Sequence, residues 1–330
     1  MGFISPYILY VFFIMSEYFD NKNLFMTPKT TQYGSHMVMT DVSKESKTKY
    51  INLDTRFRDE YNYLNTSTLP INYNYTNVAN YTFTLPDKYN DVKTLSVSNV
   101  EIPIIYYNIS ANLGNNCVQI IGSSTRLVII PDGQYTATTL NAKFLSLITT
   151  DISINVTQNG ATQIVNKTGS SVTVNFNYSA ISSTDTVGNY DKFNTKFKLG
   201  WLLGFRAISY VLTGNATITS EAILDLNGPR YLYLVVDEFS NGNQSSFVSC
   251  LSTSIVKKNI LARIAVDGIA YPYGSVLTGT AGNGLLSTDC RSYTGKIDIQ
   301  RLNIQLVNES GAPMNLNGMD FSFCLKLVHE

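Results

Sequence analysis

Alternation of apolar and polar residues with period two recurs along this chain and constrains its fold more than any other feature. Ile297–Val307 reads IDIQRLNIQLV and Met319–Val328 reads MDFSFCLKLV. Successive side chains of a strand point to opposite faces, so each run is a half-buried strand and not a helix face. Residues 80–86, NYTFTLP, repeat the pattern. Val92–Ile105 is long, β-branched and mostly alternating, and Pro103 near its end marks an edge or a strand end. Tyr231–Val236, YLYLVV, is dense enough for a strand buried on both faces. Shorter strands are expected at 50–54, 118–121, 126–130, 152–156, 163–165, 172–178 and 259–266, and residues 216–226 read as strand or loop. Turn signals such as Gly122-Ser123-Ser124 and Asn159-Gly160 separate them.

Two segments break this rhythm. After the turn Pro131–Tyr135, residues 136–148 place Leu140, Phe144, Leu147 and Ile148 at helical spacing, with Thr136 able to cap the start. This helix is expected to cover an open end of a β core. Phe193–Phe205 holds the only tryptophan, Trp201, and is expected to contain a short helix that plugs the core. Tyr273–Leu285, YGSVLTGTAGNGL, reads as a mobile surface loop; it lacks the GK[ST] ending of a phosphate loop. Many strands, short turns and no βαβ repeat give an all-β class. The expected architecture is a jelly-roll sandwich of antiparallel strands with one or two short covering helices.

Residues 50–330 carry no composition break and are expected to form a single elaborated jelly-roll domain. Residues 1–49 are expected to be a hydrophobic stretch followed by a polar, flexible arm. The stretch Gly2–Met15 is apolar but shorter than a membrane span, and Pro6 interrupts it. No basic residue precedes it and no small-residue cleavage site follows, which argues against a secretory signal. A start at Met15, Met26 or Met37 is the preferred reading, and membrane contact of residues 1–15 is the weaker one. Asn-x-Ser/Thr sequons, for example at Asn74, Asn80, Asn108 and Asn308, are expected by chance in so Asn-rich a chain.

Composition limits the chemistry. Lys and Arg number 24 against 24 Asp and Glu, so no global charge points to nucleic acid. Charged residues are only 15% of the chain, which suits a surface buried in an assembly. The four cysteines, Cys117, Cys250, Cys290 and Cys324, match no zinc spacing and read as small buried hydrophobes. Only His36 and His329 are present, which starves a His-based triad or a clustered metal site. No cofactor is expected. Paired carboxylates could still make a glycoside hydrolase, with Asp225, Asp237 beside Glu238, and Asp298 as candidates. The chain is read as non-enzymatic.

Several segments, taken in order, carry a resemblance. They are INLDTRFRDEY (51–61), YTFTLP (81–86), LSVSNVEIPIIYYNIS (95–110), IIPDGQYTATTLNAKF (129–144), LGWLLGFR (199–206), LNGPRYLYLVVDEF (226–239) and the tail 297–327. In this order the chain resembles the minor capsid, or penton-type, proteins of large nucleocytoplasmic DNA viruses (giant viruses) and of polinton-like elements. The resemblance implies a jelly-roll virion protein, a penton at the fivefold vertex or another minor capsid protein. It implies a homopentamer in contact with major and other minor capsid proteins, without specific nucleic acid, assembled in the cytoplasm of an infected cell. The alternative is a carbohydrate-binding or adhesive β-sandwich module, as on a virion fibre. The expected framework residues are Gly133 and Tyr135 at the turn before the helix, Gly200, Trp201, Leu203 and Gly204 at the plug, and Gly228-Pro229 before the YLYLVV strand.

Overall fold

The computed structural model describes residues 45–57, 79–180, 182–191, 195–239, 247, 259–288 and 290–330. The hydrophobic stretch 1–15, the arm to residue 44, the Tyr- and Asn-rich loop 61–76 and Cys250 lie outside the described residues. So does the second half of the charged turn after residue 57. The chain divides at Ser46/Lys47, and the unit Lys47–Glu330 is described here.

In chain order the strands are β1 (Lys47–Asp54), β2 (Asn80–Pro103), β3 (Cys117–Ile121) and β4 (Thr125–Ile129), then helix α1 (Ala137–Leu147). Next come β5 (Ile152–Val156), β6 (Ala161–Asn166), β7 (Val172–Asn175), β8 (Tyr178–Ser179) and β9 (Asn189–Tyr190), then the short helix α2 (Leu199–Leu202). β10 (Ser209–Leu212), β11 (Thr217–Ile223), β12 (Tyr231–Asp237), β13 (Ile260–Ala265), β14 (Val276–Thr280), β15 (Leu286–Thr288), β16 (Arg291–Val307) and β17 (Ser322–His329) complete the chain. The result is an all-β sandwich of antiparallel strands with two helices and one sheet curled into a half-barrel.

That curled sheet has the order β1-β17-β2-β16-β12-β13-β15, with β14 also on β2. Its axis is β2, where the expected segments 80–86 and 92–105 are joined into one strand of 24 residues. The strand bends instead of breaking. Asp91 takes φ 55°, and the register with β16 shifts three times. Pro86 falls between the paired residues Thr84 and Tyr89, where no ladder N–H is required. A bulge against β17 explains a break in the alternation. Asn99 faces Cys324 while Val97 faces Leu325, so Ser98 is the extra residue. Leu95 and Val97 before it and Val100 and Ile102 after it therefore all point into one core.

The Gly-rich segment read as a surface loop contains β14 instead. Val276 pairs with Pro103 and Thr280 with Asn99. Gly279 is needed there, because a Cβ would come 2.8 Å from Val100 Cγ2. The far edge of the sheet curls back to β2 through Thr288. Its Oγ1 accepts the Val97 N–H at 3.3 Å and donates to the Leu261 carbonyl at 3.2 Å. The enclosed core includes Leu232, Leu234, Val236, Leu302, Ile304 and Phe323.

Between residues 107 and 228 the chain builds a second core. A four-stranded sheet, β10-β7-β3-β4, and a three-stranded sheet, β11-β6-β5, share it. Helix α1 seals it with Leu140 and Phe144. Thr136 caps α1 as expected, and Thr139 returns the bond in a capping box. Asn141 then ties α1 to β5, donating to the Val156 carbonyl and accepting its N–H.

Candidate functional site

The chain passes between its two cores at 104–109 and again at 226–230, and the framework residues fall into two groups around this joint. The first group meets at Asn108, only 4% exposed. Its Nδ2 donates to the Tyr135 carbonyl and to the Leu226 carbonyl, each at 2.8 Å. Its Oδ1 accepts the Tyr135 N–H at 2.9 Å, and its own N–H donates to Gln134 Oε1. The sequon at Asn108 is therefore a buried structural amide. Beside it, Gly133 and Ile109 exchange backbone bonds. Tyr135 Oη donates to the Pro131 carbonyl at 2.8 Å and closes the turn. Gly228 takes φ +77°, and a Cβ there would meet the Tyr106 ring at 3.1 Å. Pro229 lines a small cavity of about 40 Å³ with Tyr106, Tyr107 and Met314.

The second group surrounds Phe176. A Cβ on Gly200 would lie 2.4 Å from Phe176 Cγ, so only glycine lets α2 approach that ring. Gly204 is tighter still, at φ +92° with the Ala222 carbonyl 2.0 Å from a Cβ. The plug itself consists of Leu199, Leu203 and Phe205, all fully buried, with Phe205 stacked on Phe176 at 5.2 Å. Trp201 departs from the expectation: it sits at the rim, half-buried. The Arg206 guanidinium covers its ring at 4.0 Å and donates to its carbonyl. Helix α2 is one turn long, so its side chains fan out on all sides and only some can face Phe176.

Tyr106 and Tyr135 also line an open cleft of about 370 Å³ at the joint, together with Gln134, Asn227, Tyr271 and Tyr273. Among the described residues no charged side chain lines it. Burial pushes the Tyr106 phenol up to about 12. Burial also raises Tyr135, with Asp132 adding to the effect, and raises Tyr273 with a contribution from Tyr107.

The carboxylates singled out as hydrolase candidates each have a structural partner. Glu238 is buried against Arg291, with Oε2 2.5 Å from Nη1, while Arg291 also donates to the Val236 and Asn259 carbonyls. Beside this pair the Tyr293 phenol is pushed far above its ordinary range, first by burial and then by the Glu238 charge. Asp237 accepts the Phe239 N–H, Asp225 pairs with Arg230, and Asp298 pairs with Lys88. Among the described residues no three His, Cys, Asp or Glu side chains gather as a metal site. Cys117 is buried and donates to the Tyr178 carbonyl, and burial raises its thiol. Cys290 is exposed and Cys324 half-buried, against the reading of all four as buried hydrophobes.

No protein-family model matches the chain, and no curated protein matches it. Among solved structures it is similar to the mavirus penton protein. That match has 11% identity and a TM-score of 0.40, over 86% of this chain and 99% of the other. The 3.5 Å cryo-EM structure of the Sputnik virophage contains a chain similar at 12% identity and TM-score 0.38, over 86% of this chain and 98% of that one.

The sequence offered Asn108 only as a chance sequon and Glu238 only as a hydrolase candidate, and neither the joint at Asn108 nor the pairing of Glu238 with Arg291 was read from it. An asparagine in so Asn-rich a chain reads as a turn residue. Partners 53 residues apart leave no local pattern.

Proposed function

We propose that this chain is a viral capsid structural protein, a penton or another minor capsid protein, that acts by assembling with copies of itself and with a major capsid protein. One observation carries the reading. The segments whose order resembles penton-type proteins are the framework of this fold, and three of them converge on Asn108 across as many as 118 residues. Residues of these segments therefore tie the chain together at the joint between the two cores, which suits a structural role. The carboxylates that would serve a hydrolase support the same reading, because each already has a structural partner.

Residues 50–330 act as one jelly-roll domain behind the N-terminal arm, and the protein works in the virion after assembly in the host cytoplasm. Sheet edges and apolar loop tips supply the contacts. Val211 on β10 and Ile223 on β11 stand 64% and 66% exposed, and Ile269 is 96% exposed at the tip of its turn. We assign contacts with neighbouring subunits to these exposed apolar side chains. Head-to-tail use of two different patches closes a ring when the rotation fits.

Light scattering on residues 38–330 across a concentration series tests the proposal. A closed pentamer supports it. A concentration-independent monomer refutes a self-assembling penton and leaves a cement protein that needs the capsid lattice. The joint cleft favours glycan binding as a second activity.

A further inference from the structure

We infer that the cleft at the joint between the two cores is a binding site for a neutral sugar residue. The inference stands on the geometry of the cleft and not on the assembly reading. At about 370 Å³ the cleft lies near the lower end of ligand pockets, with room for about one or two pyranose rings. Its walls combine two kinds of surface that a sugar needs. Tyrosine rings offer apolar faces for the C–H side of a pyranose, and hydroxyl and amide groups offer partners for its O–H groups.

Several of those polar groups are free. Tyr106 is 6% exposed, yet its hydroxyl bonds to no described residue, and the same holds for the hydroxyls of Tyr271 and Tyr273. Each of these hydroxyls is reached by solvent, so a ligand hydroxyl can take the place of water on it. Gln134 is held by its Oε1 to the Asn108 N–H, so its amide nitrogen is oriented and unengaged. Asn227 is held by Asp225, which accepts both its backbone and side-chain N–H groups. Among the described residues the lining holds no charged side chain, so an ionic ligand would be desolvated there without compensation. That selects neutral hexoses and N-acetylhexosamines over sialic acids, phosphates and amines.

The rim is formed by a turn that is already ordered. Asp267 Oδ1 accepts the N–H groups of Ile269 and Ala270, fixing Gly268 and Tyr271 on the cleft wall. A Cβ on Gly268 would meet nothing within 4 Å, so a larger side chain can be placed there without a clash.

The test uses the full chain and saturation-transfer NMR with five probes at millimolar concentration. They are methyl α-glucoside, methyl β-galactoside, N-acetylglucosamine, chitotriose and 3′-sialyllactose. Saturation transfer to at least one neutral probe, with sialyllactose weaker, is the expected result. Chitotriose binding at least as well as N-acetylglucosamine identifies a glycan terminus as the ligand, and binding of monosaccharides alone identifies a free sugar. Tyr106→Phe, which keeps the ring against Gly228, is expected to weaken binding about fivefold, the worth of one hydrogen bond. Gly268→Phe is expected to abolish it while the unfolding midpoint stays at the parent value. Silence of every neutral probe, a preference for sialyllactose, or unchanged affinity in both variants overturns the inference.

Discussion

Replacing Asn108 by alanine isolates the contribution of one side chain to the joint. The substitution removes the two Nδ2 bonds to the Tyr135 and Leu226 carbonyls and the Oδ1 bond from the Tyr135 N–H. The bond from Asn115 goes to the main-chain carbonyl of residue 108 and survives. Three backbone groups then lose their partner in a region only partly open to water. Each such loss costs about 1 kcal/mol where water substitutes and up to about 2 kcal/mol where it does not. The sum is about 3 to 6 kcal/mol. At about 2 to 4 °C per kcal/mol for a domain of this size, even the lower figure is a fall of about 6 to 12 °C. Asn108→Asp keeps the acceptor but turns an oxygen toward two carbonyls, so it should be at least as damaging. Urea unfolding followed by circular dichroism reads both variants. A midpoint for Asn108→Ala within about 1 kcal/mol of the parent would refute the role assigned to this joint.

Three further outcomes are expected. Glu238→Ala should cost about 3 to 5 kcal/mol, because it strands a buried guanidinium, and Glu238→Met with Arg291→Leu should recover most of that in the same urea assay. Trp201→Ala should cost about 1 to 2 kcal/mol, the cation–π contact plus partial burial, against about 3 to 5 kcal/mol for Phe205→Ala; equal losses would contradict the rim position. Burial raises the Glu309 carboxyl above its ordinary value near 4.5, and the Arg230 hydrogen bond and charge oppose this without cancelling it. The folded chain therefore binds more protons than the unfolded one above that value, and stability falls as pH rises through the folded pKa. Glu309→Gln should flatten that limb of a stability profile, and an unchanged slope would argue against it.

The sequence was most readable where packing is one-sided and local. β16 and β17 announce themselves through period two, and α1 through Leu140 and Phe144 together with Thr136. β14 was hidden because VLTGT holds a glycine whose reason is Val100, on a strand more than 170 residues away in the chain. β10 was missed because Ser209–Leu212 buries only Leu212 and shows too short a pattern to register. The break in alternation at Ser98 is a bulge set by pairing with β17, a partner more than 200 residues away in the chain. At the candidate site, Gly200 and Gly204 were read as positions where the chain bends, and the close approaches to Phe176 and Ala222 that require them are set by residues distant in sequence. The choice of Trp201 as plug rested on size, and size does not reveal which side of a single helical turn faces the core.

The pairing of β2 also dictates the order in which the chain can acquire structure on the ribosome. Among the described strands, β2 pairs only with β14, β16 and β17, and β1 only with β17, where Lys47 meets His329. Both strands are synthesised early and wait for partners that emerge last. Every pairing among β3 to β11 closes within residues 117–223, so that portion can mature while the tail is still being made. The delay leaves a 24-residue edge unsatisfied during synthesis, the period in which mispairing with other chains is most costly. A nascent chain of this topology depends on how quickly residues 291–330 clear the exit tunnel.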